Sequence, residues 1–183
     1  MKTDNRVEME RLFSMIKAAK NVCIFPHLDP DGDTLGSSLA LQSLINRMGK
    51  PAKVVLEGQL PERLNFMPGF DTIRTIASAE SCEKTLAIAV DVSSIERLGK
   101  AEEFFKKAAF TAQIDHHETN PGFAQINLIE ASAPSSASIV FSLFKALEMP
   151  LLENEATNLY IGLSTDTGNF QFKNTDANSF RIM

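Results

Sequence analysis

Short runs of apolar residues alternate along the chain with longer segments in which apolar residues recur at helical spacing. The clearest run, Thr85–Val90, has no polar residue after its first. Continuous apolar runs of this length are typical of strands that are buried on both faces of a parallel sheet. The runs predict strands at Val22–Phe25, Lys53–Leu56, Thr85–Val90, Phe110–Ile114 and Gln125–Ile129. Strands that alternate with helices predict an α/β fold, a three-layer domain with a mainly parallel sheet.

The segments between the strands have the apolar spacing of amphipathic helices. Asp33 or Thr34 is the predicted cap of the second helix, which ends near Met48 before Gly49 and Pro51. The remaining helices are predicted at Val7–Ala19, Ile95–Lys107, Ser135–Leu147 and Asn154–Leu163, with a last one starting near Thr175. The sequence stops inside this last helical segment, so we expect residues 1–183 to be one domain truncated at its C-terminus.

Composition and charge narrow the classes of function. The chain has 183 residues and a net charge of −5, a poor match for long duplex DNA, which binds clustered Lys and Arg. No stretch approaches the roughly 20 apolar residues of a membrane span, and the N-terminal residues lack the apolar core of a signal peptide. Cys23 and Cys82 are expected to be reduced, buried thiols. We therefore expect a cytoplasmic protein with no membrane partner.

Every histidine of the sequence follows one of the apolar runs. His27 comes after the first predicted strand, and His116 and His117 come after the strand at Phe110–Ile114. Acidic residues lie beside these histidines or follow the strand at Thr85–Val90, at Asp31, Asp33, Asp91 and Asp115. Ligands bind outside the carboxyl ends of the strands in open α/β sheets. We therefore expect these side chains to converge on one edge of the sheet.

A cluster of this many carboxylates and imidazoles predicts bound cations that neutralise it. Like charges at close range resist ionisation, and none of the clustered residues is a Lys or Arg. Divalent cations are the simplest solution, and two ions about 3.5–4 Å apart suit this number of ligands better than one. Mixed carboxylate and imidazole ligands suit manganese, iron, cobalt or zinc, and the excess of carboxylates favours Mn²⁺ or Mg²⁺.

Each segment taken alone also has a purely structural interpretation. Asp29–Asp33 is equally a surface turn, Asp91 is equally a helix cap, and Asp115–His117 is equally a hydrogen-bonded cluster without metal. Gly162–Phe170, in which Asp166 lies among small polar residues, matches the C-terminus of a helix. The position of the first three segments at strand ends favours the metal site over these interpretations.

Four of these segments, taken in order, resemble a known family. They are His27-x-x-Pro30-Asp31-x-Asp33, then Asp91, then Asp115-His116-His117, then Asp166 within Ser-Thr-Asp-Thr-Gly. Their order and spacing resemble the four N-terminal motifs of the DHH phosphoesterase superfamily over about residues 22–172. The first motif, which continues into Leu35-Gly36-Ser37-Ser38, looks most like the branch of bacterial nanoRNases and 3'-phosphoadenosine-5'-phosphate phosphatases. Similar domains occur in RecJ-type exonucleases.

The resemblance implies a role for each residue of the motifs. His27 and Asp31 would hold a first ion, and Asp33, His116 and Asp166 would hold a second. Asp91 would bridge both ions. His117 would face the substrate phosphate, and Asp115 would orient a histidine, so that these two residues and Asp91 form the catalytic set. The ions implied are two divalent cations, most plausibly Mn²⁺, with Mg²⁺ or Co²⁺ as alternatives. The resemblance leads us to expect that the family's smaller C-terminal substrate-binding domain is absent from this sequence.

The expected function is hydrolysis of phosphoester bonds in short oligonucleotides or nucleotide phosphates by a water that two metals activate. The alternatives are a RecJ-like single-strand exonuclease, a cyclic-dinucleotide phosphodiesterase, an inorganic pyrophosphatase, or a metal- or nucleotide-binding module without turnover. An exonuclease needs an aromatic-lined track for single strands, and Trp is absent and Tyr160 is the only tyrosine, which favours short substrates. Arg97 and Lys100 either reach a phosphate or lie on a solvated helix face, and the second is favoured. The oligomeric state is not specified, and a homodimer remains one option.

Overall fold

A six-stranded parallel sheet forms the centre of the computed structural model, which describes residues 5–76 and 85–182. Its strand order is β3-β2-β1-β4-β5-β6. The strands are β1 (Val22–Pro26), β2 (Ala52–Leu56), β3 (Arg74–Thr75), β4 (Leu86–Val90), β5 (Phe110–Asp115) and β6 (Ile126–Ile129). The five predicted strands are confirmed within one or two residues at each end. The edge strand β3 was not predicted, because two residues are too few to show an apolar run.

Helices cover both faces of the sheet, which confirms the three-layer α/β class. They are α1 (Asn5–Ala18), α2 (Gly32–Arg47), α3 (Ala101–Lys107), α4 (Ser136–Ala146), α5 (Glu153–Asp166) and α6 (Ser179–Ile182). The prediction of one continuous helix over Ile95–Lys107 was wrong. A 3-10 turn occupies Ile95–Leu98, and Gly99, with a φ of 57°, separates it from α3. A residue with a positive φ ends a helix, and glycine adopts that conformation without steric cost.

The two sides of the sheet belong to two apolar clusters, because alternate residues of a strand point to opposite faces. Ile24 and Ile88 pack with apolar residues of α1, α2, α4 and α5 on one face. Phe25 and Ala89 pack with Phe105 of α3 on the other face. Cys23 is half-buried in β1, and Cys82 lies outside the described residues. Within the described ranges, no helix combines the length and apolar character needed to cross a membrane.

The sheet reverses its direction of growth between β1 and β4. The chain first adds β2 and β3 on one side of β1, and then adds β4, β5 and β6 on the other side. The loops that leave β1 and β4 therefore diverge, and the crevice between them is the usual ligand position of an open α/β sheet.

Helices α2 and α5 pack closely and run antiparallel, so that the start of α2 meets the end of α5. A Cβ at Gly36 would overlap the backbone carbonyl oxygen of Asn158, and a Cβ at Gly162 would lie 2.8 Å from the Asp33 carboxylate. Glycine at these two positions lets the helix backbones approach each other. The packing brings carboxylates of the first turn of α2 next to Asp166, the last residue of α5.

Candidate metal centre

The predicted site residues lie around a single crevice at the carboxyl end of the sheet. His27 follows β1, Asp91 follows β4, and Asp115 ends β5 immediately before the two adjacent histidines. Helices supply the rest: Asp31 caps α2, Asp33 lies in its first turn, and Asp166 ends α5. A cavity of about 280 Å³ opens between them, lined by His27, Asp29, Asp31, Asp91, Ser93, Arg97, His117 and Asp166.

Ligand atoms from these side chains form three overlapping groups, each with all its atoms within 4.8 Å of one another. The first group is His27, Asp31 and Asp91, and the second is Asp33, His116 and Asp166. The third group joins Asp91 to His116 and His117. Asp91 lies between the two halves: its Oδ2 is 3.7 Å from His27 Nε2 and its Oδ1 is 3.6 Å from His116 Nε2. The arrangement therefore offers two adjacent positions for cations with one shared carboxylate.

The backbone at Asp91 is in the left-handed region, with a φ of 60°. Asp and Asn adopt this conformation more readily than other side-chain-bearing residues, but at a cost. The Asp91 N–H still donates to the Ile114 carbonyl, 2.9 Å away, which continues the ladder between β4 and β5 for one residue. The turn then places the Asp91 carboxylate at the centre of the crevice, where it is buried.

Hydrogen-bond acceptors outnumber donors around Asp91. The Thr34 hydroxyl lies 2.6 Å from His27 Nε2, 3.0 Å from Asp31 Oδ1 and 2.7 Å from Asp91 Oδ2. A hydroxyl has one proton to donate, so it satisfies one of these three acceptors at a time. The Ser136 hydroxyl donates to Asp91 Oδ1 at 3.0 Å. The acceptors left over have the character of ligands for a cation.

Asp33 is fully buried and uses both of its oxygens to cap helix α4. Its Oδ2 accepts from the Ser136 N–H at 2.7 Å and its Oδ1 accepts from the Ala137 N–H at 2.9 Å. Burial, followed by the charges of Asp91 and Asp166, raises the pKa of Asp33 well above its usual value. Burial is also the largest cause of the raised pKa of Asp91. The carboxylates therefore compete for protons, and divalent cations would relieve that competition.

His116 and Asp166 form the closest imidazole–carboxylate pair in the second group, with Nε2 and Oδ2 2.9 Å apart. Burial alone would lower the pKa of His116, but the hydrogen bond to Asp166 and the charges of Asp33 and Asp91 raise it to about 9. The other ring nitrogen, Nδ1, lies 3.4 Å from the Ala133 carbonyl oxygen. A carbonyl on Nδ1 orients the ring so that Nε2 faces the carboxylates, as a metal-ligating histidine requires.

His117 is oriented by a different carboxylate. Its Nδ1 donates to Asp115 Oδ1 at 2.8 Å, and the second oxygen of Asp115 accepts from the Asn120 amide at 2.6 Å. The bond to Asp115 is the main cause of the raised pKa of His117. Asp115 is fully buried, whereas the His117 side chain is 42% exposed and lines the cavity. The pair thus presents a positioned imidazole to whatever enters the crevice.

The residues present fit two divalent cations. Carboxylate oxygens and imidazole nitrogens are the donor types of Mn²⁺ and related ions, and His27, Asp31 and Asp91, which surround the single hydroxyl proton of Thr34, all line the crevice. Bridging by a central carboxylate is consistent with the two-ion sites of hydrolytic enzymes.

Some residues of the site were missed or misplaced by the sequence analysis. Arg97 is exposed, as expected, but it lies in the 3-10 turn and lines the cavity rather than a helix face. The Lys100 side chain is 86% exposed and pairs with Glu57. Ser136 and Asn120 were not predicted at all. Their contacts with Asp91 and Asp115 join residues far apart in sequence or in an irregular loop, and no local pattern marks them.

Comparison with known proteins places these features in a family. The sequence model of a protein family, described as the DHH family, N-terminal domain, matches residues 21–163 of this chain. A relative in Thermus thermophilus, named bifunctional oligoribonuclease and PAP phosphatase NrnA, is 30% identical over 96% of this chain and 52% of its own length. The chain spans about half the length of the first curated relatives that it matches.

Solved structures share the fold. An exopolyphosphatase-related protein from Bacteroides fragilis aligns with a TM-score of 0.91 at 22% identity, over 100% of this chain and 56% of that one. Exonuclease RecJ bound to manganese aligns with a TM-score of 0.55 at 17% identity, over 88% of this chain and 43% of that one. The family match covers residues 21–163, and the histidines and aspartates of the chain follow the strands of the parallel sheet in the order of the family's motifs. This chain therefore belongs to the DHH family of phosphoesterases.

Proposed function

We propose that residues 1–183 form the catalytic domain of a phosphoesterase that hydrolyses short oligonucleotides or nucleotide phosphates with two divalent cations. The observation that carries the proposal is the overlap of the ligand groups beside a small polar cavity: Asp91 belongs both to the group of His27 and Asp31 and to a group with His116. The name of the Thermus thermophilus relative, an oligoribonuclease and PAP phosphatase, supports the substrate class.

The proposed ligands follow from the two groups. His27 and Asp31 would hold one ion, and Asp33, His116 and Asp166 would hold the other. Asp91 would serve both, because it is grouped with His27 and Asp31 and also with His116. When bound, such ions lower the pKa of a water molecule to about 7 and neutralise charge on phosphoryl oxygens. Mn²⁺ is the proposed metal, because the ligands are hard oxygens and imidazoles and because RecJ, which shares the fold, binds manganese. Mg²⁺ and Co²⁺ are the alternatives.

The chain's own residues position the reaction. The Thr34 and Ser136 hydroxyls donate to Asp91 and fix the orientation of its carboxylate. Asp115 accepts a hydrogen bond from Nδ1 of His117 and raises the pKa of the imidazole. The doubly protonated ring can then donate from Nε2 to a phosphate oxygen, or give its Nε2 proton to the departing alkoxide and keep the proton on Nδ1. A donor already aimed at developing negative charge stabilises the transition state without reorganisation.

The cavity size favours small substrates. The volume of about 280 Å³ lies just below the roughly 300–1,000 Å³ typical of sites for drug-sized ligands. A RecJ-like exonuclease, a cyclic-dinucleotide phosphodiesterase and an inorganic pyrophosphatase remain the alternatives, since the same two-metal chemistry serves each. A metal-binding module without turnover is the alternative from another class.

The proposed compartment is the cytoplasm, and a homodimer is one option for the quaternary structure. Light scattering of the purified chain would distinguish a dimer from a monomer.

The test combines metal binding with turnover. Calorimetric titration of the chain with Mn²⁺ should show two bound ions, and hydrolysis of bis(p-nitrophenyl) phosphate should depend on the metal. Asp91→Asn preserves the shape of the side chain and tolerates the left-handed backbone. This variant should lose about a hundredfold or more of the activity, because one carboxylate serves both ions. Asp71→Asn, an exposed carboxylate in the 3-10 turn Phe70–Thr72, is the matched control and should match the wild type.

Different results decide between the alternatives. A wild-type chain that binds no Mn²⁺, or an Asp91→Asn variant with unchanged turnover, would contradict the proposal. Mn²⁺ binding without hydrolysis of any phosphoester would favour the non-catalytic module. A panel of a diribonucleotide, 3'-phosphoadenosine-5'-phosphate, a cyclic dinucleotide and pyrophosphate then separates the enzyme classes, and the proposal expects the first two to be the best substrates.

A further inference from the structure

Arg97 is held rigidly against the loop that leaves β1. Its carbonyl oxygen accepts from the Leu28 N–H at 2.8 Å, and its own N–H donates to the Ser94 carbonyl at 3.1 Å. The next residue, Leu98, is buried in the apolar cluster beneath the turn. The backbone of Arg97 is therefore fixed relative to His27, and only the side chain remains adjustable.

The guanidinium of Arg97 lies at the mouth of the metal crevice. Its Nη2 is 3.3 Å from His27 Nδ1, and the side chain lines the same cavity as Asp91, His117 and Asp166. Among the described residues that line this cavity, it is the only Lys or Arg. No carboxylate in the described part of the chain lies within 4 Å of its guanidinium nitrogens.

His27 does not satisfy this guanidinium. The Nδ1 of His27 also lies against the Leu28 carbonyl oxygen, which can only accept a hydrogen bond. Nδ1 therefore carries the proton, and Nε2 keeps the lone pair that faces Asp91. Two N–H donors then meet at Nδ1, so the guanidinium gains no hydrogen bond there. Its donors are available to an anion that enters the cavity.

We propose that Arg97 binds the phosphate group of the substrate in the metal crevice, on the side of His27. The inference rests on the proposed function and adds to it a residue that recognises the phosphate. A guanidinium offers paired donors that match two phosphate oxygens, and it stays charged at every working pH. Arg97 would hold the oxygens that face away from Asp33 and His116, and would orient the phosphorus atom towards the crevice.

Lys100 provides a matched control on the same connection. It lies three residues after Arg97, its side chain is 86% exposed, and its ammonium lies 3.8 Å from Glu57. It carries the same charge as Arg97 but does not line the cavity. General electrostatic attraction of anions would make both residues matter, whereas direct binding requires Arg97 alone.

The experiment compares the wild type with Arg97→Ala, Arg97→Lys and Lys100→Ala. Three quantities are measured: Mn²⁺ affinity by calorimetry, KM and kcat for bis(p-nitrophenyl) phosphate, and the inhibition constant of inorganic phosphate. Arg97→Ala should raise KM and the phosphate inhibition constant about tenfold or more, as loss of a charge-assisted bond requires, and leave Mn²⁺ affinity unchanged. Arg97→Lys should recover part of this loss. Lys100→Ala should resemble the wild type.

The outcomes against the proposal are distinct. If Arg97→Ala keeps KM and the phosphate inhibition constant within about twofold of the wild type, Arg97 does not bind phosphate. If Arg97→Ala loses Mn²⁺ affinity in proportion to activity, Arg97 positions His27 instead, and the proposal is also overturned. A wild type that neither binds Mn²⁺ nor hydrolyses the ester contradicts the proposed function itself, a failure visible before any variant is made.

Discussion

At the scale of single residues, the site concentrates unfavourable features around one carboxylate. Asp91 is buried, has a left-handed backbone and faces the carboxylates of Asp31 and Asp166. A left-handed conformation costs roughly 1–2 kcal/mol for most residues, and a buried carboxylate costs more unless it is paired. The buried carboxylate and its left-handed backbone therefore do not increase the free energy of unfolding. The features make sense as the preparation of a cation site, where the charge of the ligand offsets them.

The pair of Asp115 and His117 leads to a prediction about pH. Asp115→Asn weakens the bond that raises the pKa of His117, so the alkaline limb of the pH dependence of kcat should move to lower pH. The value of kcat should fall about 10–100-fold, the range typical of residues that orient a functional imidazole. Mn²⁺ affinity should change little, because Asp115 contacts His117 and Asn120 rather than the two ion positions.

Asn120→Ala separates orientation from loss of charge. It removes one partner of Asp115 but keeps the carboxylate beside His117. The alkaline limb of the pH dependence of kcat should therefore move less than in Asp115→Asn. An Asp115→Asn enzyme with the wild-type pH profile would show that His117 takes no part as a proton donor.

Individual residues differ in how well the sequence predicts them. Asp91 and His116 were identifiable because a residue at the end of a buried parallel strand must emerge at the ligand-binding edge. Arg97 was not, because its direction depends on the break at Gly99, which replaces a helix face by a 3-10 turn. Thr34 was considered only as a cap, and its second role, as the donor shared by three acceptors, exists only in the folded crevice.

At the scale of elements, the packing of α2 against α5 sets the distance between the ligands that these helices carry. Gly36→Ala should disturb it, since a Cβ there overlaps the backbone carbonyl oxygen of Asn158, which cannot rotate away. Overpacking of this kind costs about 1–3 kcal/mol, or roughly 3–10 °C in Tm for a chain of this size. Mn²⁺ affinity should fall as well, because the separation of Asp33 from Asp166 increases.

Calorimetric unfolding and Mn²⁺ titration check this prediction. Thr157→Ala, on the exposed side of α5, is the control and should stay within about 0.5 kcal/mol of the wild type. A Gly36→Ala chain with unchanged Tm would show that the two helices can separate freely, and that their close approach does not set the site.

Element boundaries show where sequence patterns lose precision. Continuous apolar runs located the strands well, since burial on both faces leaves no alternative composition. The start of α2 was less exact: Asp31, not Asp33 or Thr34, is the cap. Three aspartates lie within five residues, and each has a side chain able to cap α2. Asp31 takes this position because Asp33 caps α4. Helix α5 extends past the predicted Leu163 to Asp166, because its final turn packs against α2.

At the scale of the whole molecule, the topology explains why the ligands come from so many places. The sheet grows in opposite directions from β1 and β4, and the crevice between these strands receives side chains from β1, β4 and β5. Helices α2 and α5 close it from one face only, while the opposite face contributes Arg97 from the turn before α3. Acidic ligands thus approach from the sheet and one helical layer, whereas Arg97, the one Arg or Lys among the described residues that line the cavity, approaches from the other side.

The protonation of the site predicts how the stability of the whole chain depends on pH. In the metal-free chain, the pKa of His116 is raised to about 9, and the pKa values of Asp33, Asp91 and His117 are raised too. The folded site therefore holds protons more tightly than the unfolded chain, so stability falls as pH rises. The His116 contribution is complete below about pH 6.5, its unfolded pKa, and is lost as the pH passes about 9.

Mn²⁺ should reverse this trend, because its ligands must be deprotonated and the ion competes with the same protons. The Tm of the metal-free chain, followed by scanning calorimetry, should fall between about pH 6.5 and about pH 9. With saturating Mn²⁺ it should instead rise from about pH 5.5 to about pH 7 and then level off. His116→Asn removes the imidazole whose pKa is raised to about 9 and should flatten the decline of Tm in the metal-free chain. A metal-free Tm that stays constant or rises over this range would contradict the prediction. It would mean that the carboxylates around His116 do not raise its pKa, and that the crevice is not the cluster of unfavourable negative charge, suited to a cation, that its geometry indicates.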